Sequence, residues 1–323
     1  MDPLRVGVIG VGHLGFHHAR VYTELLNNEL VGIVDVNEER AAGIGELLGV
    51  PSYSDIDRFF KVARPDAVSV VVPTSEHHAV ASLAMEYGAN VLIEKPVTTT
   101  VEEAEDLLAR AESKNLVLQV GHIERFNSAV QHVRNIVKEP LFLQSRRMGP
   151  FNSRINDVGV VLDLMIHDID IILSLVHSDI KDITAMGRPV RSPLEDVATA
   201  QISFKNGALA HILVSRVSER KLRQLEIMEP ERFISVNYET QDVSIHRCIR
   251  EKESSMMEVI EHPVFAKREP LKLELQHFVT CVREGKQPLV GIMDGKRALE
   301  IAIGVLRQIH APGTPEAAGA RNL

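Results

Sequence analysis

The hydrophobic positions follow two different patterns, and the change near residue 121 divides the chain. In the first part, short runs apolar on both faces alternate with amphipathic stretches. Val6–Ile9 reads as a buried strand, followed by a helical pattern over about 14–26. Leu30–Val34 is the second strand, and Asn37 stands as N-cap of a helix that stops near Gly49. Asp66–Val72 is a third apolar run, halted by Pro73, and a helix is predicted over Ser75–Tyr87 with Gly88 at its end. Val91–Ile93 and Val117–Val120 complete the strands. The helix between them starts with Thr100 and Glu103 at capping-box spacing. Doubly apolar strands separated by helices predict a parallel sheet covered on both sides.

After His122 strands come to dominate. A helix near Asn127–Val137 leads to a strand over Leu141–Arg147, and a long apolar helix is predicted over Val158–Val176. Val197–Phe204 and Ala208–Ser215 flank Asn206-Gly207, the signal of a two-residue hairpin. Alternating runs continue to about His246, and helices close the chain around Leu271–Arg283 and Gly295–Ile309. The 323 residues are long for one core. Two domains are expected, over 1–121 and 122–311, with helices 271–309 packing back towards the first. The Ala-, Gly- and Pro-rich tail 312–323 is expected to be mobile.

A formal net charge of -8 argues against a nucleic-acid binder but leaves room for a local basic site for an anionic small molecule. Cys248 and Cys281 lack metal-type spacing, which fits a reducing cytoplasm. No signal peptide is expected from Met1–Arg5, and no run is apolar enough to predict a membrane span.

Gly10-Val11-Gly12-His13-Leu14-Gly15 follows the first strand and opens the first helix, and Asp35 ends the second strand. This is the context of a dinucleotide-binding Rossmann unit. Gly10 permits the turn, Gly12 admits the pyrophosphate, and Gly15 allows close packing of helix on strand. The helix start, with His13 and Leu14, offers N–H groups to phosphate. Asp35 would accept from the adenosine ribose hydroxyls and repel a 2′-phosphate, favouring NAD over NADP, a preference that Arg40 could soften.

Glu94-Lys95-Pro96 closes a predicted strand, where open α/β sheets bind ligands; Lys95 there is either a donor to a developing oxyanion or a surface lysine. Asp163 and His167 stand at i, i+4 within the apolar helix. Such a pair either poises a general base or satisfies its own hydrogen bonds in the core. Arg146, Arg147 and Arg154 could clamp an anion or form a solvated face. The adjacent pairs His17-His18 and His77-His78 lack metal-helix spacing, and no metal is expected.

Together the glycine loop, Pro73-Thr74-Ser75-Glu76-His77, Glu94-Lys95-Pro96, the Asp163/His167 helix and Gly291–Glu300 resemble the glucose–fructose oxidoreductase / inositol dehydrogenase / MocA family. The resemblance implies an NAD-dependent oxidoreductase acting on a secondary hydroxyl of a sugar. Its second domain would be α+β, built on a large, mostly antiparallel open sheet that often joins subunits into a homodimer or homotetramer. It also implies roles. Lys95 and His167 would be catalytic, with Asp163 assisting, and Thr74, His77 and Glu94 would line the cofactor, with a cis peptide before Pro96. Gly121–Asn127, Ser153-Arg154 and Asp157–Val160 resemble a narrower branch, the UDP-N-acetylglucosamine 3-dehydrogenases, which feed lipid A amino-sugar synthesis. Ser128 stands where that branch often has proline. Arg154 and Arg125 would then meet the diphosphate. The alternatives implied are an inositol or free-sugar dehydrogenase, an NAD-dependent glycosidase, and a non-catalytic NAD-binding regulator.

Overall fold

The computed structural model describes residues 2–151, 158–252 and 255–311; Arg154 and the tail 312–323 lie outside the described residues. The chain forms two compact units, Met1–Phe126 with Arg268–Leu299, and Asn127–Lys267 with Glu300–Leu323. The elements begin with β1 (Leu4–Ile9), α1 (His13–Glu24), β2 (Asn28–Val34), α2 (Glu38–Leu48), β3 (Ser52–Tyr53) and α3 (Ile56–Ala63). There follow β4 (Ala67–Val70), α4 (His77–Glu86), β5 (Asn90–Glu94), α5 (Val101–Lys114), β6 (Leu118–Gly121) and α6 (Ser128–Ile136). Next come β7 (Phe142–Met148), α7 (Ile166–Leu175), β8 (Ile180–Arg188), β9 (Val197–Phe204), β10 (Leu209–Ser215) and β11 (Leu222–Glu229). The chain closes with β12 (Arg232–Asn237), β13 (Asp242–Lys252), β14 (Ser255–Glu261), α8 (Pro270–Glu284) and α9 (Ile292–Ile309).

In the first unit six strands form the parallel sheet that the doubly apolar runs predicted, in the Rossmann order β3-β2-β1-β4-β5-β6. The caps behave as their chemistry requires. Asn37 accepts from Arg40 N, Gly49 takes the left-handed conformation, and Thr100 and Glu103 close a reciprocal box. Residues 50–65, which carry no assignment from the sequence, supply β3 and α3. Asp55 caps α3 and Phe59 and Phe60 are its buried face. The unit runs on past residue 121 because the 3₁₀ turn Ile123–Phe126 packs on α8, with the Phe126 and His277 rings 5.5 Å apart.

The second unit holds eight strands in the order β14-β13-β12-β11-β7-β10-β9-β8, all antiparallel except β7 with β10. Alternate residues, among them Leu143, Ala200, Ile212, Leu225 and Ile234, are buried on the face that α6 and α7 cover. Two local expectations need correction. The Asn206-Gly207 hairpin loop has three residues, since Phe204 N donates to Ala208 O, Gly207 N donates to Phe204 O, and Gly207 has φ +91°. That is a turn of the ordinary hand completed by a glycine, which also matches strand twist. The predicted apolar helix contains a π-helical turn at Val161–Met165, with Ile166 N donating to Val161 O, before α7 begins.

Candidate active site

Strand order reverses between β1 and β4, and a cavity of about 660 Å³ opens there at the carboxyl ends of the strands. Gly10, with φ +85°, has no room for a side chain: a Cβ would lie 2.5 Å from Val71 O. At Gly15 a Cβ would lie 1.8 Å from Gly10 O, so the helix sits directly on the loop. Around Gly12 nothing lies within 4 Å of a Cβ, and it opens α1 without a side-chain cap. The helix start therefore presents N–H groups and the positive end of its dipole to an approaching anion. His13 and Leu14 are exposed beside it.

Asp35 forms one wall of this cavity. Its buried carboxylate accepts from Val11 N at 3.0 Å, Asn37 N at 2.9 Å and Arg40 Nη1 at 3.2 Å. Val36, Ile56, Val71, Val72, Pro73 and Val80 supply apolar walls that fit a flat base. Of these, Val36 left a signal in the sequence that was passed over, an apolar side chain following Asp35; it is 96% exposed. The cradle, the carboxylate and the apolar slot fit a dinucleotide.

At the end of β5, Lys95 is half-buried and the Lys95–Pro96 peptide is cis. His77 lies buried behind it. Its Nδ1 is 2.8 Å from Pro96 O and its Nε2 3.0 Å from Val72 O, tying the two strand ends together. Burial lowers the His77 pKa despite these carbonyls. Thr74 begins the 3₁₀ turn leading into α4. Glu94 is buried, with Oε2 accepting from Lys95 N at 3.2 Å and Oε1 3.2 Å from His18 Nε2. Burial pushes its carboxyl up, but His18 and Lys95 outweigh that and hold it low.

Sequence reasoning missed Glu274 of α8, whose carboxylate is fully buried and has no hydrogen-bond partner among the described residues. Burial, and then the negative Glu94, raise its pKa well above the glutamate range. As pH rises through that range the unfolded chain gives up this proton while the folded chain keeps it, so stability falls. Glu274→Gln is therefore expected to gain on the wild type as pH rises above the ordinary glutamate range. Parallel melting curves that do not diverge would contradict this.

In the second unit Asp163 and His167 stay half-buried while Val161, Met165, Ile166 and Ile169 around them pack in the core. Asp163 lies in the π-helical turn and His167 at the start of α7, so both still share a side. The neighbouring Asp168 is fully buried. It accepts from Arg147 Nε at 2.8 Å, Arg147 Nη2 at 3.2 Å and Ser145 Oγ at 2.7 Å. For Arg147 and Arg146 this corrects the reading of a basic anion clamp. Arg147 serves Asp168, and Arg146 donates to Gln224 and Glu226 across the sheet. In the first unit Arg125 is also buried and donates to Asp294 at 3.3 Å.

Residues 4–122 match the family described as "Oxidoreductase family, NAD-binding Rossmann fold", and residues 119–229 match the GFO/IDH/MocA C-terminal domain. The chain is 36% identical to a UDP-N-acetylglucosamine 3-dehydrogenase of Acidithiobacillus ferrooxidans, over 96% of this chain and 99% of that one. A solved structure of that enzyme superposes with a TM-score of 0.89 at 36% identity, covering 96% and 99% of the two chains. A scyllo-inositol 2-dehydrogenase (NAD(+)) of Bacillus subtilis is 30% identical over 93% of this chain and 92% of that one.

Proposed function

The chain belongs to the GFO/IDH/MocA oxidoreductase family, with its NAD-binding Rossmann fold, and from that premise we propose that it oxidises the C3 hydroxyl of UDP-N-acetylglucosamine. The observation that carries this reading is the 36% identity to an enzyme so named, sustained over nearly the full length of both chains.

On this reading the site works by proton control. His167 takes the hydroxyl proton, and Asp163, one turn earlier, stabilises the imidazolium that results. The Lys95 ammonium donates to the same oxygen as its negative charge grows. The glycine loop and Asp35 would hold NAD, which when bound would supply the hydride acceptor. His77 and Glu94 act on the cofactor side by fixing the strand ends and Lys95. Arg154 is the arginine we assign to the diphosphate, because Arg125 is already committed to Asp294. The ketone product suits amination, as lipid A amino-sugar synthesis requires. We place the enzyme in the cytoplasm, where the buried free thiol of Cys281 stays reduced.

The test is NADH formation from UDP-N-acetylglucosamine, UDP-N-acetylgalactosamine, myo-inositol and glucose, with a ketone trap. Turnover confined to UDP-N-acetylglucosamine is expected; turnover with inositol or glucose alone would overturn the substrate assignment. In the same assay NADP should be the poorer cofactor. Asp35→Ser, which removes the repulsion and releases Arg40, should shift the NADP/NAD ratio of kcat/KM about tenfold or more towards NADP.

We further assign self-association to the open face of the large sheet. Met186, Leu209 and Met228 stand exposed along its strands, at 68%, 49% and 45%. Light scattering should return two or four protomer masses, and a monomer at working concentration would refute the assignment.

A further inference from the structure

A π-helical turn holds one residue more per turn than its neighbours, so it can relax to α-helix only if one flank rotates or slides by one residue. Asp163 lies inside such a turn. On its C-terminal side α7 is anchored by Asp168, through Arg147 and Ser145. On its N-terminal side the anchor comes from the loop between β8 and β9. Glu195, 4% exposed, accepts from Val160 N through its backbone carbonyl at 3.0 Å and from Val161 N through Oε1 at 3.2 Å. Two N–H groups left open by the helix start are thus satisfied by one residue.

The loop carrying Glu195 is itself held. Asp196 Oδ2 accepts from Val190 N, Arg191 N and Ser192 N, and Asp196 Oδ1 accepts from Arg216 Nε at 2.6 Å. Arg216 Nη1 in turn donates to Val158 O at 2.9 Å, one residue before Gly159. Glycine at 159 is what lets the carboxylate approach, since a Cβ there would lie 2.0 Å from Glu195 Oε1.

We infer that Glu195 is a positioning residue: with Asp168 on the other flank it fixes the residue count between two anchors and so holds the π-helical turn that presents Asp163 ahead of His167. The inference rests on the reading of Asp163 and His167 as the acid–base pair. With the N-terminal anchor gone, the turn can relax, which turns Asp163 about the helix axis relative to His167 and changes the angle at which the two meet.

The test compares Glu195→Ala, Glu195→Gln, Gly159→Ala and His167→Ala in the full-length enzyme. It reads kcat and KM with whichever sugar of the panel turns over, NAD affinity, and Tm. Glu195→Ala should lower kcat about tenfold or more at unchanged NAD affinity. Glu195→Gln, which keeps an acceptor for Val161 N, should restore most of it. Gly159→Ala, which drives the carboxylate away, should reproduce the loss. A cap that only stabilises would lower Tm and leave kcat per folded enzyme unchanged, and that result overturns the inference. Should Glu195→Ala fail to fold, normal kcat in Gly159→Ala overturns it and loss of kcat supports it. An active His167→Ala overturns this inference and the functional reading together. An inactive His167→Ala beside a normal Glu195→Ala overturns the inference alone.

Discussion

His167→Ala is expected to lower kcat by about 10²–10⁴-fold while NAD still binds, because the hydroxyl proton loses its acceptor and the Rossmann unit keeps its cavity. Lys95→Ala should fall by about 10²–10³-fold for a different reason, the loss of a cation opposite the developing oxyanion. The two variants differ in how they respond to pH. Without His167, the rate should regain dependence on hydroxide, since solvent must take the proton. Without Lys95 the proton acceptor remains, so the pH dependence should keep the wild-type form at a lower ceiling. NAD titration followed by calorimetry, the chain having no tryptophan, separates binding from turnover. Near-normal kcat in both variants would leave the assigned chemistry without its residues.

The largest expected loss of stability comes from the residue next to His167. Asp168 and Arg147 are 0% and 1% exposed, and the Arg147 guanidinium also lies 5.1 Å from the Tyr238 ring centroid. Asp168→Ala takes a buried carboxylate away from a buried guanidinium, which costs about 3–5 kcal/mol. In a unit of this size that lowers Tm by roughly 10 °C or more. Replacing both partners with apolar residues, as in Asp168→Leu with Arg147→Met, should recover much of the loss, because both buried charges are then removed together. A drop below about 1 kcal/mol in chemical denaturation of Asp168→Ala would show that the pair is already solvated.

What could be read from the chain follows the range of the interactions involved. Asn37, Thr100, Glu103 and Gly49 act within a few residues, and the caps they announce are present. The doubly apolar runs of β1, β2, β4 and β5 announce burial on both faces, and the glycine loop and Asp35 do line one cavity. The π-helical turn was not legible, because Val161–Met165 is too apolar for periodicity to distinguish one extra residue in a turn. Arg146 and Arg147 look like an anion site only while their acidic partners, Glu226 and Asp168, are unknown, and those lie 80 and 21 positions away. Glu195 and Glu274 carry no motif at all. Their importance arises from what the fold places against them, an open helix start in one case and burial beside Glu94 in the other.

The first unit also has a consequence for synthesis on the ribosome. Its core joins Val6, Val8, Val11 and Ala19 to Leu271, Leu275, Phe278 and Val279 of α8, so the N-terminal segment to Phe126 emerges with one apolar flank still bare. That flank waits while residues 127–267 are translated, at about 5–20 residues per second. The nascent chain therefore exposes a sticky surface for many seconds and offers it to a holdase. An expression fragment ending at Phe126 should accumulate as aggregate, whereas the same fragment rejoined to residues 268–299 through a flexible linker should remain in solution.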